Sequence, residues 1–215
     1  RFRPYRPSSA GTASRTHHAL AERLRKRYAI EDKPYVLSVG TVQPRKNYVR
    51  LIQAFVNTRA RRPSPESTGS PIQLLIAGGH GWLYKDVLNE ADRHDGVRIL
   101  GFVKDEDLPD LYRGATLFAF PSLYEGFGLP VLEAMACGVP VVCSNTSSLP
   151  EVAGDAALLV DPLDVEELSA AIDQVLQDDN LRKAMIERGL AQAARFTWER
   201  SAQQLLDIIA TWEAR

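Results

Sequence analysis

Cysteine is scarce in this chain: Cys137 and Cys143 are the only two in 215 residues. They sit either side of an apolar run and match neither a metal knuckle nor a redox pair. A buried, reduced pair is expected, which suits the cytoplasm or a cytoplasmic membrane face. No apolar run approaches the roughly 18 residues of a membrane span, and the start lacks a signal peptide's apolar core. Gly-Lys-Ser/Thr is missing, which excludes a Walker A loop. Gly-x-Gly-x-x-Gly is missing too, which disfavours an ordinary NAD-binding domain. Nor is there an excess of one charge. The formal net charge is -1, so the total gives no reason to expect a nucleic-acid or membrane-surface partner.

What is present is an ordinary globular composition, 45% apolar, in a length that suits one large domain. Basic residues crowd the first third: Arg1, Arg3, Arg6, Arg15, Arg23, Arg25, Lys26 and Arg27. They mark either a phosphate-rich partner or a solvated helix face with a linker. Residues Arg1 to Ala10 are rich in Pro, Ser and Arg and read as a linker. The abrupt start suggests a piece of a longer protein. A helix is expected from about Ala13 to Tyr28.

From Pro34 onward strands and helices alternate. Strands are expected at Tyr35–Gly40, Gln73–Ala77, Val97–Leu100, Thr116–Phe120, Val139–Cys143 and Ala156–Val160. Helices are expected at Tyr48–Arg59, Leu83–Arg93, Asp105–Arg113 and Leu129–Cys137, then at Val165–Gln177, Asn180–Ala193 and Trp198–Trp212. Arg62–Ser70 reads as a solvated loop. Several strands are continuous apolar runs, the pattern of strands buried on both faces of a parallel sheet. The expectation is an α/β fold with a doubly wound parallel sheet, Rossmann-like, whose ligand lies beyond the carboxyl ends of its strands.

The loops at those ends carry the chemistry. In Gly40-Thr41-Val42-Gln43-Pro44-Arg45-Lys46-Asn47, Gly40 allows a close approach to the backbone and Pro44 suits a first helical turn. Arg45 and Lys46 then stand where a helix start favours an anion, an arrangement that fits a diphosphate and could replace a metal ion. Gly78-Gly79-His80-Gly81 is either an access route to a ligand or a plain tight turn. His80 is a proton carrier or a loop histidine without a role. The run Ser122-Leu123-Tyr124-Glu125-Gly126-Phe127-Gly128-Leu129 places a glycine-rich loop between a strand end and a helix, and Glu133 lies about a turn into that helix. A carboxylate accepts from two neighbouring hydroxyls, as a sugar offers. Alternatively Glu133 makes a surface ion pair and Glu125 faces a helix dipole.

These residues resemble a known family. Glu125 and Glu133, with seven residues between, look like the paired-glutamate motif of retaining glycosyltransferases of the two-domain GT-B fold, family 4 (glycosyl transferases group 1). Ser38-Val39-Gly40 with Pro44-Arg45-Lys46-Asn47 resembles that family's phosphate loop. Leu100-Gly101-Phe102-Val103 resembles its base-binding segment, and Pro121-Ser122 through Val142 its core signature. The resemblance runs from about Lys33 to the C-terminus. It implies the C-terminal, donor-binding half of the fold: a linker remnant over residues 1–12, a nucleotide-sugar domain over 13–215, and an N-terminal acceptor domain absent from this chain.

The roles that follow are implied by the resemblance. Arg45 and Lys46 bind the donor diphosphate, Gly40 admits it, and Val103 meets the base. Glu133 holds the ribose, and Glu125 contacts the transferred sugar. Gly126, Phe127, Gly128 and Leu129 bind sugar and phosphates through their backbone. Glu125, Lys46 and Arg45 are the catalytic candidates, with no metal and no cofactor. The donor is a nucleoside diphosphate sugar, GDP-mannose or a UDP-sugar. The acceptor is a glycan or lipid-linked hydroxyl reached through the missing domain, with peripheral membrane contact of the full-length enzyme. The implied activity is hexose transfer with retention in polysaccharide biosynthesis, possessed by the whole enzyme and not by this chain alone. A nucleotide-sugar binding module and a nucleotide-sugar epimerase of the same fold are the alternatives. The last helix resembles one that crosses back to the missing domain, so Trp198 or Trp212 is expected to be exposed.

Overall fold

Strand β1, Tyr35–Val39, has almost no polar face: Val36 and Leu37 point to opposite sides and both are fully buried. Strands β2 (Gln73–Ala77), β4 (Leu117–Phe120) and β5 (Val141–Ser144) are likewise buried along their whole length. β3 (Val97–Gly101) and β6 (Ala157–Val160) are the half-exposed edges. The computed structural model, which describes residues 22–60 and 72–213, assembles these six strands into one parallel sheet in the order β3-β2-β1-β4-β5-β6. The expected doubly wound Rossmann-like sheet is therefore present. The chain winds outward from β1 to β3, then returns to start β4 on the other side of β1. The carboxyl ends of β1 and β4 thus border the crevice where chain direction reverses.

Each face of the sheet has its own core. Residues 22–28 form helix α1. On one side, Leu37, Leu75, Phe118 and Val141 pack with Leu24, Leu111, Tyr112, Val131, Met135 and Leu149. Those residues come from α1, α4 (Leu108–Arg113), α5 (Leu129–Ala136) and α6 (Leu149–Ala153). On the other side, Val36, Leu74, Ile76 and Val142 pack with Leu51, Ile52, Phe55, Val87, Leu168 and Ile172. There the cover is α2 (Tyr48–Ala60), α3 (Lys85–Ala91) and α7 (Val165–Gln177). Each fully buried Leu, Ile or Phe contributes about 1.5–3 kcal/mol, which opposes the entropy of ordering the chain. α8 (Asp179–Ala193) and α9 (Trp198–Glu213) follow. Among the described residues no helix is long and apolar enough to cross a membrane.

The expected linker, residues 13–21 of the first expected helix, Arg1, Arg3, Arg6 and Arg15, and the loop Arg62–Ser70 lie outside the described residues. Elsewhere some boundaries differ from expectation. The helix expected from Leu83 begins at Lys85, because Leu83 takes a left-handed φ of 49° that no helix accommodates. The helix expected from Asp105 begins at Leu108. The strand expected from Val139 begins at Val141, after Pro140, which has no N–H to donate but whose carbonyl accepts from the Phe118 N–H at 2.9 Å. Helix α6 was not expected at all; five residues are too few for a periodic signal. The two cysteines are free and buried, with Cys143 inside β5.

Candidate active site

Past β1 the backbone turns at Gly40, whose φ of 152° favours glycine. A Cβ there would lie 2.8 Å from Lys46 Cε and 3.1 Å from the Tyr48 hydroxyl. The missing side chain is therefore what lets Lys46 pass beneath this turn. Tyr48 in turn donates its hydroxyl to the Gly40 carbonyl at 3.0 Å. Pro44–Lys46 form one turn of 3-10 helix that ends at Asn47 in the left-handed region. Helix α2 starts only at Tyr48. Arg45 and Lys46 thus do not stand on the first turn of the long helix, as the sequence suggests, but on a separate turn ahead of it.

That turn aims both cations at one carboxylate. Lys46 Nζ donates to Glu125 Oε1 at 2.6 Å, and Arg45 Nη1 lies 2.8 Å from Glu125 Oε2. Arg45 also donates to the Tyr124 carbonyl, while its own carbonyl accepts from the Leu123 N–H at 2.9 Å. The Lys46 side chain is only 8% exposed, and its ammonium lies 4.5 Å from the centroid of the Phe120 ring. Burial lowers the Lys46 pKa against the upward pull of Glu125. Burial would raise the Glu125 carboxyl, but hydrogen bonds from Lys46 and then Arg45 outweigh it and hold the group below its ordinary range.

The loop after β4 is tied down by hydroxyls that the sequence reading passed over. Ser144 Oγ donates to the Ser122 carbonyl at 2.7 Å. The Glu125 N–H donates to Ser147 Oγ at 3.0 Å. Ser148 Oγ lies 3.0 and 2.8 Å from the Glu125 and Phe127 carbonyls. The available signal was the hydroxyl-rich run Ser144 to Ser148, directly after a buried strand at the ligand end of the sheet. Asn47, buried to 4%, donates through Nδ2 to the carbonyls of Pro121 at 3.0 Å and Pro162 at 2.6 Å. One amide so joins the loops after β1, β4 and β6.

Within this frame Gly126 is exposed, and nothing lies within 4 Å of where its Cβ would be. Phe127 and Leu129 are exposed as well. Gly128 caps α5 at φ 104°, and a Cβ there would lie 2.7 Å from Leu149 Cδ2. Glu133 sits on α5, half-buried, and accepts from the Tyr112 hydroxyl at 3.0 Å. Glu125 is held by a Lys and an Arg from another loop, which is not the helix-dipole role alone, and Glu133 is engaged by a buried phenol. Val103 packs in the core and is 4% exposed.

Gly78 is a packing glycine, since a Cβ there would sit 2.0 Å from the Gly40 carbonyl oxygen. His80 stacks flat on Tyr84 with ring centroids 4.4 Å apart. Among the basic residues of the first third, Arg23 and Arg27 pair with Asp107 at 2.8 and 2.7 Å, and Arg25 pairs with Asp32. Arg23 and Arg27 so tie α1 to a buried carboxylate ahead of α4, while the Arg25 pair is local and partly exposed.

A doubly wound parallel sheet with a cationic turn and a glycine-rich loop meeting at its switch point defines a Rossmann-like ligand-binding domain of the kind that forms half of a GT-B fold. The family model described as glycosyl transferases group 1 matches residues 21–192, and the chain belongs to that family. It is 47% identical over 188 residues to O-antigen chain mannosyltransferase B of Escherichia coli, covering 84% of this chain and 47% of that protein. It is 34% identical over 218 residues to a D-inositol 3-phosphate glycosyltransferase of Salinispora arenicola, covering 97% of this chain and 46% of that one. The chain spans about half the length of the curated relatives it matches. Among solved structures, sucrose-phosphate synthase from Thermosynechococcus elongatus aligns with a TM-score of 0.71 at 29% identity, over 90% of this chain and 49% of that one. Anabaena HepE, solved with UDP and glucose, aligns with a TM-score of 0.72 at 21% identity, over 90% of this chain and 52% of that one; at that identity it shows the fold alone.

Proposed function

We propose that this chain is the donor-binding half of a glycosyltransferase that moves mannose, with retention, from GDP-mannose to a glycan or lipid-linked hydroxyl at the cytoplasmic face of a membrane. The observation that carries the reading is the convergence of Arg45 and Lys46 at the β1–β4 switch point, beside the open backbone of Gly126. Mannose and polysaccharide assembly are favoured by the 47% identity to the O-antigen mannosyltransferase.

In this reading the donor diphosphate takes Arg45 and Lys46 over from Glu125. The bond between sugar C1 and the phosphate oxygen breaks, and its electron pair leaves with the diphosphate. Negative charge grows on that oxygen, where two cations in a partly water-excluded turn stabilise it most. The acceptor oxygen bonds C1 from the same face and passes its proton to the departing phosphate. Glu125, released from its cations, orients the sugar hydroxyls. Glu133 holds the ribose. The acceptor is presented by a second domain, so this chain alone binds donor without transferring it.

A thermal-shift panel of GDP-, UDP- and ADP-sugars tests the binding half. A donor at 100 times its dissociation constant adds about 2.7 kcal/mol of stability; no shift with any of them would defeat the reading. Incubating the full-length enzyme with GDP-mannose and a lipid-linked glycan tests the transfer half. An α-linked product that forms in the presence of EDTA is expected. Conversion of the donor without a second product would instead favour the epimerase alternative.

A further inference from the structure

Tyr112 occupies no role described so far. It lies on α4, fully buried, with its ring 5.3 Å from that of Phe118 at 59°. Its hydroxyl donates to Glu133 Oε2 at 3.0 Å. A buried tyrosine hydroxyl needs a partner, and here the partner is the carboxylate that the reading above gives to the ribose.

Two features make this more than a satisfied core tyrosine. First, the donor is rigid. The ring is packed between helix and sheet, whereas Glu133 has three rotatable side-chain bonds and stands half in solvent. A contact between them fixes the flexible partner to the fixed one. Second, the phenol is confined to donating. Burial and the adjacent Glu133 charge push its pKa well above the ordinary value, so it stays protonated. A carboxylate has about four acceptor positions, and Tyr112 takes one of them, on Oε2. That bond sets the plane of the carboxylate in advance. That preorganisation removes an ordering cost from binding.

We propose that Tyr112 is a positioning residue that sets the Glu133 carboxylate to read the vicinal hydroxyls of a ribose, and so makes the site select ribonucleotides over 2′-deoxyribonucleotides. The inference rests on the donor-site reading above for the presence of a nucleotide beside Glu133. It assigns the discrimination to a side chain that never touches the ligand.

The test measures dissociation constants of this 215-residue chain for GDP and 2′-deoxy-GDP, and for UDP and 2′-deoxy-UDP, by calorimetry. In the unmodified chain the ribo form of the better nucleotide binds about tenfold more tightly, the scale of one hydrogen bond to a charged acceptor. Tyr112→Phe keeps the ring and its packing and removes the donor; the ratio falls to about two, the ribo form losing more affinity than the deoxy form. A merely structural tyrosine would weaken both nucleotides alike. Tyr112→Met removes the same donor with a more adaptable apolar side chain, and serves if Tyr112→Phe fails to fold; it too brings the ratio to about two. A ratio that stays at its original value in either folded variant overturns the proposal and leaves the donor site standing. An unmodified chain that binds both forms equally does the same. An unmodified chain that binds no nucleoside diphosphate overturns the donor-site reading and this inference together.

Discussion

Lys46 and Glu125 show how much of the site is set by single side chains. The two cations that the proposal gives to the diphosphate both pair with Glu125, the carboxylate that the proposal gives to the sugar. In that reading a diphosphate competes with Glu125 for both cations. Glu125→Gln is expected to tighten binding of GDP by about threefold to tenfold, because a neutral amide competes less well for two cations, while transfer by the full-length enzyme falls. Calorimetry and a turnover assay read the two effects; weaker GDP binding would contradict the competition. Acid stability reads the same pair. Glu125 and Asp107 both have pKa values lowered in the fold. For Asp107, burial acts upward and hydrogen bonds from Tyr28 and Arg27 prevail. Their stabilisation is fully present above the unfolded carboxylate value, about 4, and is lost as pH falls through the lowered folded values. Melting curves from pH 7 to pH 3 are expected to drop below pH 4, with a shallower drop in Glu125→Gln. These pairings were not legible in the chain. Arg45, Lys46 and Glu125 could each be named from their loops, but 79 residues separate Lys46 from Glu125, and no local pattern states that they touch.

At the scale of elements, legibility follows the locality of the forces. Helix α7 begins at Val165 as expected because Asp164 Oδ1 accepts from the N–H groups of Glu166 and Glu167, both at 2.9 Å. Asp178 does the same for Asn180 and Leu181 at the start of α8. Asp178→Ala is expected to cost about 1 kcal/mol of unfolding free energy, read in urea melts; Asp164→Ala should match it. The elements that were missed or shifted depend on distant partners. The hydroxyls around α6 matter because Ser147 and Ser148 reach the loop that carries Glu125, 22 or 23 residues back. Helix α1 is held to α4 by Arg23, Arg27 and Tyr28 around one buried Asp107, and Tyr28 Oη accepts from the Lys104 N–H at 3.1 Å next to the expected base-binding segment. A basic run read along the chain looks like a patch; among its described residues, Arg23, Arg25 and Arg27 are in ion pairs.

For the molecule as a whole, α9 stands apart from the rest. Every side chain described from Trp198 to Trp212 is exposed, with Trp198 at 85% and Trp212 at 80%. The expected exposure of these tryptophans is thus present, along with that of Leu205, Leu206, Ile208 and Ile209. Because these groups are not buried against the sheet and its helices, replacing Leu205 and Ile209 together with Glu is expected to change unfolding free energy by less than about 0.5 kcal/mol. It should also reduce concentration-dependent light scattering, since the exposed stripe favours association. A large drop in stability would mean that α9 packs on the body of the domain.

The sequence by itself determined the α/β class, the parallel sheet, the family and the loops that carry the site. Those are written in short-range signals: apolar runs, glycines at turns, capping aspartates, and motifs of fixed spacing. Only the tertiary structure decided that Glu125 pairs with both cations, that Asn47 ties three loops together, and that Tyr112 stands behind Glu133. Each of these contacts joins residues from separate elements, and their energy exists only once the sheet has brought the carboxyl ends of its strands to one rim.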